Sequence, residues 1–122
     1  MQLLTYPQFE FACKTIARNI KTWNIKNIYG IPRGGLIPAV YLSHLTNLPL
    51  TQTYGEHTLV VDDIADSGKT LKHYQTSGCK TATIFYRKES ITKPDIWIYE
   101  KEKDWILFPW ETKESTGEIK CK

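Results

Sequence analysis

The residues with the clearest chemical potential lie in one stretch, LVVDDIADSGKTL, at positions 59–71. Two adjacent acids, Asp62 and Asp63, directly follow a run of apolar residues that is typical of a buried strand. Ionised carboxylates are costly in apolar surroundings. The pair therefore predicts a place where a strand stops being core and becomes the floor of a site.

The loop after the two acids has the composition of a phosphate site. Ser67, Gly68, Lys69 and Thr70 lead into a predicted helix, where free backbone amides, two hydroxyls and a close backbone approach at the glycine coincide. The ending SGKT also matches a P-loop, but that motif needs a glycine at position 63, where this chain has Asp63. Because the acid pair would repel a triphosphate, we expect it to hold ribose hydroxyls and a divalent cation instead.

The spacing of apolar residues predicts the elements that position these groups. Thr5 and Gln8 have the spacing of a capping box, with Pro7 in the first turn of an amphipathic helix that ends near Thr22. Residues 36–45 are apolar almost all round, which predicts a helix buried on every side. The other predicted elements are strands at 27–31, 48–53, 58–61 and 81–86, a helix at 69–77 that ends before Gly78, and two apolar segments, 96–99 and 105–108, on either side of a charged turn at 100–104.

Alternating strands and helices predict an α/β fold, with a mostly parallel twisted sheet and helices on both faces. In such sheets, ligands bind beyond the carboxyl ends of the strands. Two predicted strand ends carry unusual loops, namely residues 32–35 (PRGG) and residues 62–70. We therefore expect these two loops to face the same site.

Length and composition set the class of protein. A chain of 122 residues with 41% hydrophobic and 24% charged residues predicts one soluble globular domain. No apolar run approaches the roughly 20 residues that span a bilayer, and the first residues lack a signal-peptide pattern. Cys13, Cys79 and Cys121 form no CxxC pair, which favours a reducing cytoplasm over a disulfide framework or a zinc site. The net charge of +3 suits an anionic small molecule as well as a nucleic acid.

The segment VVDDIADSGKT resembles the phosphoribosylpyrophosphate (PRPP) signature of the type I phosphoribosyltransferases. The PRGG loop and its apolar helix are similar to the pyrophosphate loop of the bacterial xanthine-guanine branch of that family. Residues 83–88 (TIFYRK) resemble the strand end that presents a purine-reading lysine in that branch, and residues 105–111 resemble its base-covering C-terminal hood. The resemblance implies one domain over residues 1–122, with a core at about 1–91 and a small hood at about 92–122.

The resemblance also implies the catalytic and phosphate-binding residues. Asp62 and Asp63 would bind the ribose hydroxyls and Mg²⁺, with Asp63 the more direct metal ligand. Asp66 would lie near purine N7 as the general base or as a hydrogen-bond acceptor. The 5′-phosphate would be held by Ala65, Asp66, Ser67, Gly68, Lys69 and Thr70, and the pyrophosphate by Arg33, Gly34 and Gly35. In this family a cis peptide bond often precedes the arginine of the pyrophosphate loop.

The purine site is implied on the same basis. Lys88 or Arg87 would donate to O6, and the sequence does not decide between them. Trp105 would stack on the base, although taken alone it is typical of a core aromatic. The backbone near Ile106, with Glu111 close by, would meet the group at C2.

The implied reaction transfers the 5-phosphoribosyl group of PRPP to guanine, xanthine or hypoxanthine, and it gives a nucleoside 5′-monophosphate and pyrophosphate. The implied cofactor is Mg²⁺, and the implied partners are PRPP and a purine base, without nucleic acid or membrane. A cytoplasmic homodimer or homotetramer is the implied assembly. The second function class is a PRPP- or nucleotide-binding regulator with weak or no turnover. Asp66 favours the enzyme, because a pure binder needs no base at that position.

One segment departs from the family pattern. Members of the family carry a long flexible loop, often with a Ser-Tyr pair, that closes over the reacting centre, whereas only residues 51–57 lie here between two predicted strands. At ~3.3 Å per residue, each half of such a loop reaches only about 10–12 Å from the sheet. Thr53 and Tyr54 are read as the remnant of the Ser-Tyr pair. The short loop predicts an open site and a weak transferase, or a site covered by a neighbouring subunit.

Overall fold

The computed structural model describes residues 2–101 and 105–112. In chain order its elements are β1 (Gln2–Leu3), α1 (Tyr6–Asn19), a 3₁₀ turn (Ile20–Thr22), β2 (Asn27–Gly30), α2 (Leu36–Thr46), β3 (Thr58–Ala65), α3 (Lys69–Thr76), β4 (Lys80–Tyr86), β5 (Ile96–Glu100) and β6 (Ile106–Leu107). The main sheet has the order β2-β3-β4-β5, and all its neighbouring strands are parallel. The predicted α/β fold with a parallel sheet is confirmed.

Helix α1 begins as its sequence predicts. The backbone N–H of Gln8 donates to the Thr5 hydroxyl at 3.2 Å, and the N–H of Thr5 donates to Oε1 of Gln8 at 2.9 Å, which completes the capping box. Pro7 lies in the first turn, where its missing N–H costs nothing. The buried face of the helix consists of Phe9, Ala12, Cys13, Ile16 and Ala17.

Helices cover both faces of the main sheet. Helices α1 and α2 pack with one face of the sheet in the larger core, which includes Ile16, Leu42 and Leu59. Helix α3 covers the other face, where Leu71 packs against Val60. Because β3 is central and buried on both sides, its residues 59–61 can be apolar without alternation.

Two strand predictions need correction, and one strand was not predicted. Strand β3 continues to Ala65, so the two acids lie within a strand rather than after its end. Residues 48–53 form no strand, because pairing with β2 stops at the single bridge between Ile28 and Leu50. Pro49 accepts a hydrogen bond from Ile28 but has no N–H to extend the ladder. The sequence also gave no signal for β1, whose two residues form a separate small parallel sheet with β6.

Helix α2 is less buried than its composition predicts. Pro38, Ala39 and Leu42 face the core, but Leu36, Ile37 and Val40 are between 40% and 44% exposed. The helix contains no charged residue. The prediction of burial on every side is therefore wrong for this single chain, and α2 presents an apolar face to the surroundings.

The C-terminal part is tied to the core. Strand β5 is the fourth strand of the main sheet, although the expected boundary placed it in the hood. Trp110 packs against Phe9 and Phe108, with ring centroids 4.9 Å and 5.2 Å away, and Phe108 is buried. Cys121, residues 102–104 of the expected charged turn and residues 113–122 of the expected hood lie outside the described residues. Across the described ranges, every helix is too short or too polar to cross a bilayer.

Candidate functional site

The acid pair is held by its own strand. Oδ1 of Asp62 accepts the N–H of Asp63 at 2.8 Å, and Oδ1 of Asp63 accepts the N–H of Ile64 at 2.8 Å. Burial, together with the smaller effect of the negative charge of Asp63, raises the pKa of Asp62 from 3.8 to about 9. Two carboxylates thus share a partly desolvated place where a positive charge would be stabilised strongly.

The PRGG loop touches this pair. It connects β2 to α2, its Pro32–Arg33 peptide bond is cis, and the N–H of Gly35 donates to the carbonyl of Ile31 at 2.8 Å. A Cβ atom on Gly34 would lie 2.3 Å from Oδ2 of Asp63, so only glycine leaves room for that carboxylate. The two loops that were expected to face one site are therefore in direct contact.

The predicted phosphate loop runs from the end of β3 into α3. Gly68 has a φ of 84°, which a glycine adopts without strain, and it immediately precedes the helix. A small cavity of about 120 Å³ is lined by Asp62, Ile64, Ala65, Asp66, Ser67, Gly68, Thr70 and Leu71. The N–H of Lys69 donates to the Ser67 hydroxyl at 3.3 Å. The backbone amides at the start of α3 and the loop hydroxyls suit an anion in this place.

A segment after β4 braces the phosphate loop, and the sequence gave no sign of it. The Ser90 hydroxyl donates to the carbonyl of Ala65 at 2.6 Å, and the N–H of Ile91 donates to the carbonyl of Ser67 at 2.8 Å. A Cβ atom on Gly68 would lie 2.9 Å from the backbone nitrogen of Thr92. The loop conformation is therefore set by residues more than 20 positions away in the chain.

Asp66 faces two cations from neighbouring strand ends. Nη1 of Arg87 lies 3.3 Å from Oδ1 of Asp66, and Nζ of Lys101 lies 3.6 Å from the same oxygen. Lys88 is 77% exposed and pairs instead with Glu100 at 3.4 Å. Of the two candidates for reading O6, Arg87 thus contacts Asp66 whereas Lys88 pairs with Glu100. The contact of Lys101 with Asp66 was not predicted.

The predicted base-covering residues have different environments. Trp105 is exposed, whereas the Ile106 side chain is buried in the core. Oε1 of Glu111 accepts the N–H of Phe108 at 3.0 Å, which closes a turn. The carbonyls of Trp105 and Leu107 accept hydrogen bonds from β1 and from the residue after it. The hood positions are therefore fixed mainly by backbone pairing with the start of the chain.

A cluster of aromatic rings covers the α3 side of the sheet near Asp62. Tyr54 packs against Tyr29 and Tyr74, with centroids 5.5 Å and 4.7 Å away, and its hydroxyl lies 3.2 Å from Nε2 of His73. Burial raises the pKa of Tyr74 to about 12, with smaller contributions from Tyr29 and Asp62. His73 is an exposed residue of helix α3, as its position in the sequence predicts, and its contact with Tyr54 is one that the spacing of the histidines does not reveal.

The acid pair would suit a magnesium ion that is bound together with a phosphate ligand. Among residues 2–101 and 105–112, no group of three or more His, Cys, Asp or Glu side chains could hold a metal. Mg²⁺ is commonly bound by one or two carboxylates together with substrate phosphates. The repulsion that Asp63 exerts on Asp62 would be relieved by such an ion, which makes these two residues the fitting ligands.

Comparison with known proteins shows the family and the fold of this chain. Residues 45–115 match the family model of the phosphoribosyl transferase domain. The chain is 27% identical to the xanthine-guanine phosphoribosyltransferase of Nitratidesulfovibrio vulgaris, over 90% of this chain and 84% of the relative. That alignment extends over 137 residues, so the relative contains segments that this 122-residue chain lacks.

Two solved structures have the same fold. The purine phosphoribosyltransferase of Pyrococcus horikoshii is 30% identical, with a TM-score of 0.81, and the match covers 91% of this chain and 94% of the other. The xanthine-guanine-hypoxanthine phosphoribosyltransferase of Helicobacter pylori is 19% identical, with a TM-score of 0.78, and the match covers 97% and 98%.

Proposed function

The chain belongs to the phosphoribosyl transferase family, as its sequence resemblance implied, and we propose that it is a 6-oxopurine phosphoribosyltransferase. It would transfer the 5-phosphoribosyl group of PRPP to guanine, xanthine or hypoxanthine in purine salvage. The observation that carries the proposal is the contact between Gly34 and the carboxylate of Asp63. This contact brings the proposed pyrophosphate loop against the proposed ribose-binding acids, as cleavage of the bond between ribose and pyrophosphate requires.

The reaction has a simple balance. Purine N9 attacks C1 of the ribose, and the bond between C1 and the pyrophosphate oxygen breaks, with its electron pair leaving on pyrophosphate. The proton of the purine passes to Asp66, which lies at the start of the phosphate loop, directly after β3. Asp62 and Asp63 stabilise the positive charge that develops on the ribose.

Binding of a cation would change the charge state of Asp62. With a pKa of about 9, Asp62 is protonated in the free protein at neutral pH. A positive charge beside the pair favours the ionised form. Bound Mg²⁺ would supply charge neutralisation for the leaving pyrophosphate. Arg33 and the amides of Gly34 and Gly35 would bind the same group from the protein side.

The base would lie between the ends of β4 and β5 and the hood. Arg87 would donate to O6, because its side chain contacts Asp66 whereas that of Lys88 pairs with Glu100. Trp105 would stack on the base, which an exposed ring can do. We also propose a homodimer or homotetramer, since the uncharged, exposed face of α2 is apolar.

One observation favours a second function, a PRPP- or nucleotide-binding regulator with little turnover. The loop at residues 51–57, which is where family members carry a closing loop, is fastened to α3 through Tyr54 and His73. A fastened loop cannot exclude water from the reacting centre, although it leaves the phosphate loop free to bind.

A product assay separates these functions. The protein is incubated with PRPP, Mg²⁺ and each of guanine, xanthine, hypoxanthine and adenine, and nucleotides are resolved by chromatography. We expect monophosphates from the 6-oxopurines. Tight PRPP binding by calorimetry without any product would favour the regulator, and absence of both would overturn both functions.

A further inference from the structure

Lys101 is a largely buried cation beside Asp66. Its side chain is only 10% exposed, although lysine is seldom buried without a partner for its charge. Its Nζ lies 3.6 Å from Oδ1 of Asp66. A largely buried ammonium whose paired acid is itself 53% exposed is a candidate for a further contact at the site.

The backbone fixes Lys101 in this place. Its N–H donates to the carbonyl of Tyr86 at 2.8 Å, so the residue lies beside the end of β4. Arg87 is the next residue after that strand end, and its own N–H donates to the carbonyl of Ala65 at 3.0 Å. Two neighbouring parallel strands therefore each place one cation at the same oxygen of Asp66.

The acids at this point are shared unevenly between the two cations. Arg87 contacts both Asp66 and the exposed Glu89, each at 3.3 Å, whereas Asp66 is the acid that Lys101 contacts among the described residues. Within the described part of the chain, both cations contact Oδ1 of Asp66. Oδ2 can therefore accept a hydrogen bond from a ligand. A partly desolvated cation that lacks its full set of acceptors is costly, so an additional oxygen acceptor would stabilise the cluster.

We propose that Lys101 is a specificity-determining residue that donates, together with Arg87, to the O6 oxygen of the purine. This inference rests on the proposed transferase function. In a purine, N7 and O6 lie on the same edge of the base. If Asp66 meets N7, the two cations on Asp66 lie next to O6, and a carbonyl oxygen has two lone pairs with which to accept from both.

The pairing has a consequence for base choice. Adenine carries an amino group at C6, and this group donates hydrogen bonds. The two cations are donors as well, so in complex with adenine they would have no acceptor at this position. Sites built to hydrogen-bond one group reject an analogue that leaves them unpaired by factors of about 10⁴. Lys101 would therefore strengthen the preference for a 6-oxo over a 6-amino base.

The test compares Lys101→Met and Lys101→Arg with the wild type. The control is Lys80→Met, an exposed residue at the start of β4. Calorimetry measures the affinity for inosine and adenosine 5′-monophosphates, and kinetics measures the KM for hypoxanthine and for PRPP. We expect Lys101→Met to weaken inosine monophosphate binding by about 10- to 100-fold, the range of a charge-assisted hydrogen bond. Adenosine monophosphate binding and the KM for PRPP should change little, and Lys101→Arg should retain most of the preference.

The outcomes distinguish this inference from the function on which it rests. If the wild type makes no nucleotide, the transferase function fails, while the two monophosphate affinities still test Lys101. If the wild type is active and Lys101→Met binds both monophosphates in the wild-type ratio, Lys101 does not read O6. Should Lys101→Met fail to fold, as seen by circular dichroism, Lys101→Gln replaces it in the same comparison.

Discussion

The hydroxyl of Tyr54 lies 3.2 Å from Nε2 of His73, which fastens the connection between α2 and β3 to helix α3. The Tyr54 ring also packs edge-on against Tyr74, the neighbour of His73 in the helix. A closing loop must leave its resting place and cover the substrates, and this loop is short as well as anchored. Its position explains why the reacting centre would stay open to water in a single chain.

The first prediction concerns that open site. We expect slow transfer, with a kcat below about 10 s⁻¹, a typical value for enzymes. We also expect hydrolysis of PRPP to ribose 5-phosphate when no purine is present, because water reaches the ribose. Steady-state kinetics with a ribose 5-phosphate assay measures both rates. A monomeric protein with fast transfer and no hydrolysis would contradict the prediction.

The same pair of residues shows what the sequence could and could not reveal. Residues 62–70 are contiguous, so the acid pair and the phosphate loop could be recognised from order and spacing alone. Tyr54 and His73 meet only because α3 packs back over the sheet, and their 19-residue separation carries no periodic signal. Lys101 likewise reaches the site through the parallel register of β4 and β5. Ser90 reaches it through the segment between these two strands.

Element predictions failed for similar reasons. Pairing of β1 with β6 joins the two ends of the described chain, and segments of two residues show no alternation. The exposed side of α2 has the composition of a buried helix, since composition does not distinguish core from an association surface. The capping box of α1 was predicted correctly because all its determinants lie within four residues.

The second prediction concerns Asp62 and pH. The pKa of Asp62 is about 9 in the folded protein, compared with the ordinary value of 3.8. At a pH between these two values, the folded state therefore holds a proton that the unfolded state has lost. Stability conferred by the protonated acid is therefore present at low pH and lost as pH rises toward 9. Asp62→Asn should stabilise the free protein at pH 8 by about 1–3 kcal/mol, the usual cost of an imperfectly satisfied buried polar group.

Urea unfolding from pH 5 to pH 9 measures this effect. The difference between Asp62→Asn and wild type should grow with pH, whereas the control Glu56→Gln, which alters an exposed carboxylate, should follow the wild type. A constant difference across the range would show that Asp62 titrates normally in the folded protein.

The third prediction concerns the function of the acid pair. The double variant Asp62→Asn/Asp63→Asn should lose PRPP transfer by at least about 100-fold, because it removes the charge that stabilises the ribose transition state. Calorimetry should also show loss of Mg²⁺-dependent PRPP binding. Retention of the wild-type rate, in a variant that folds normally by circular dichroism, would mean that the acids do not meet the ribose.

The fourth prediction separates two tryptophans. Trp105→Ala should raise the KM for the purine by about 5- to 100-fold, which corresponds to the 1–3 kcal/mol of base stacking, and leave the KM for PRPP nearly unchanged. Trp110→Ala serves as the contrast, because that ring packs on Phe9 and Phe108 and its loss should lower stability instead. Equal changes in both KM values for Trp105→Ala would indicate a structural role.

The fifth prediction concerns assembly through α2. Leu36, Ile37 and Val40 form an exposed apolar surface on a helix without charges. A groove of about 500 Å³ beside Leu36 and Val40 extends to Pro32, in the proposed pyrophosphate loop. A second copy bound here would cover the apolar surface and lie next to a site that its own short loop leaves open. Stable interfaces bury about 800 Å² per partner, so association should include both the helix and the groove.

Light scattering coupled to size exclusion measures the mass of the wild type and of Val40→Lys. We expect an oligomer for the wild type and a monomer for Val40→Lys, because a buried lysine without a partner opposes association by several kcal/mol. Phe11→Lys is the matched control, since Phe11 is also an exposed apolar side chain but lies on α1. If the α2 surface covers the site of a neighbour, PRPP hydrolysis should rise in Val40→Lys and stay unchanged in Phe11→Lys. Equal masses for all three proteins would place the oligomer contact elsewhere.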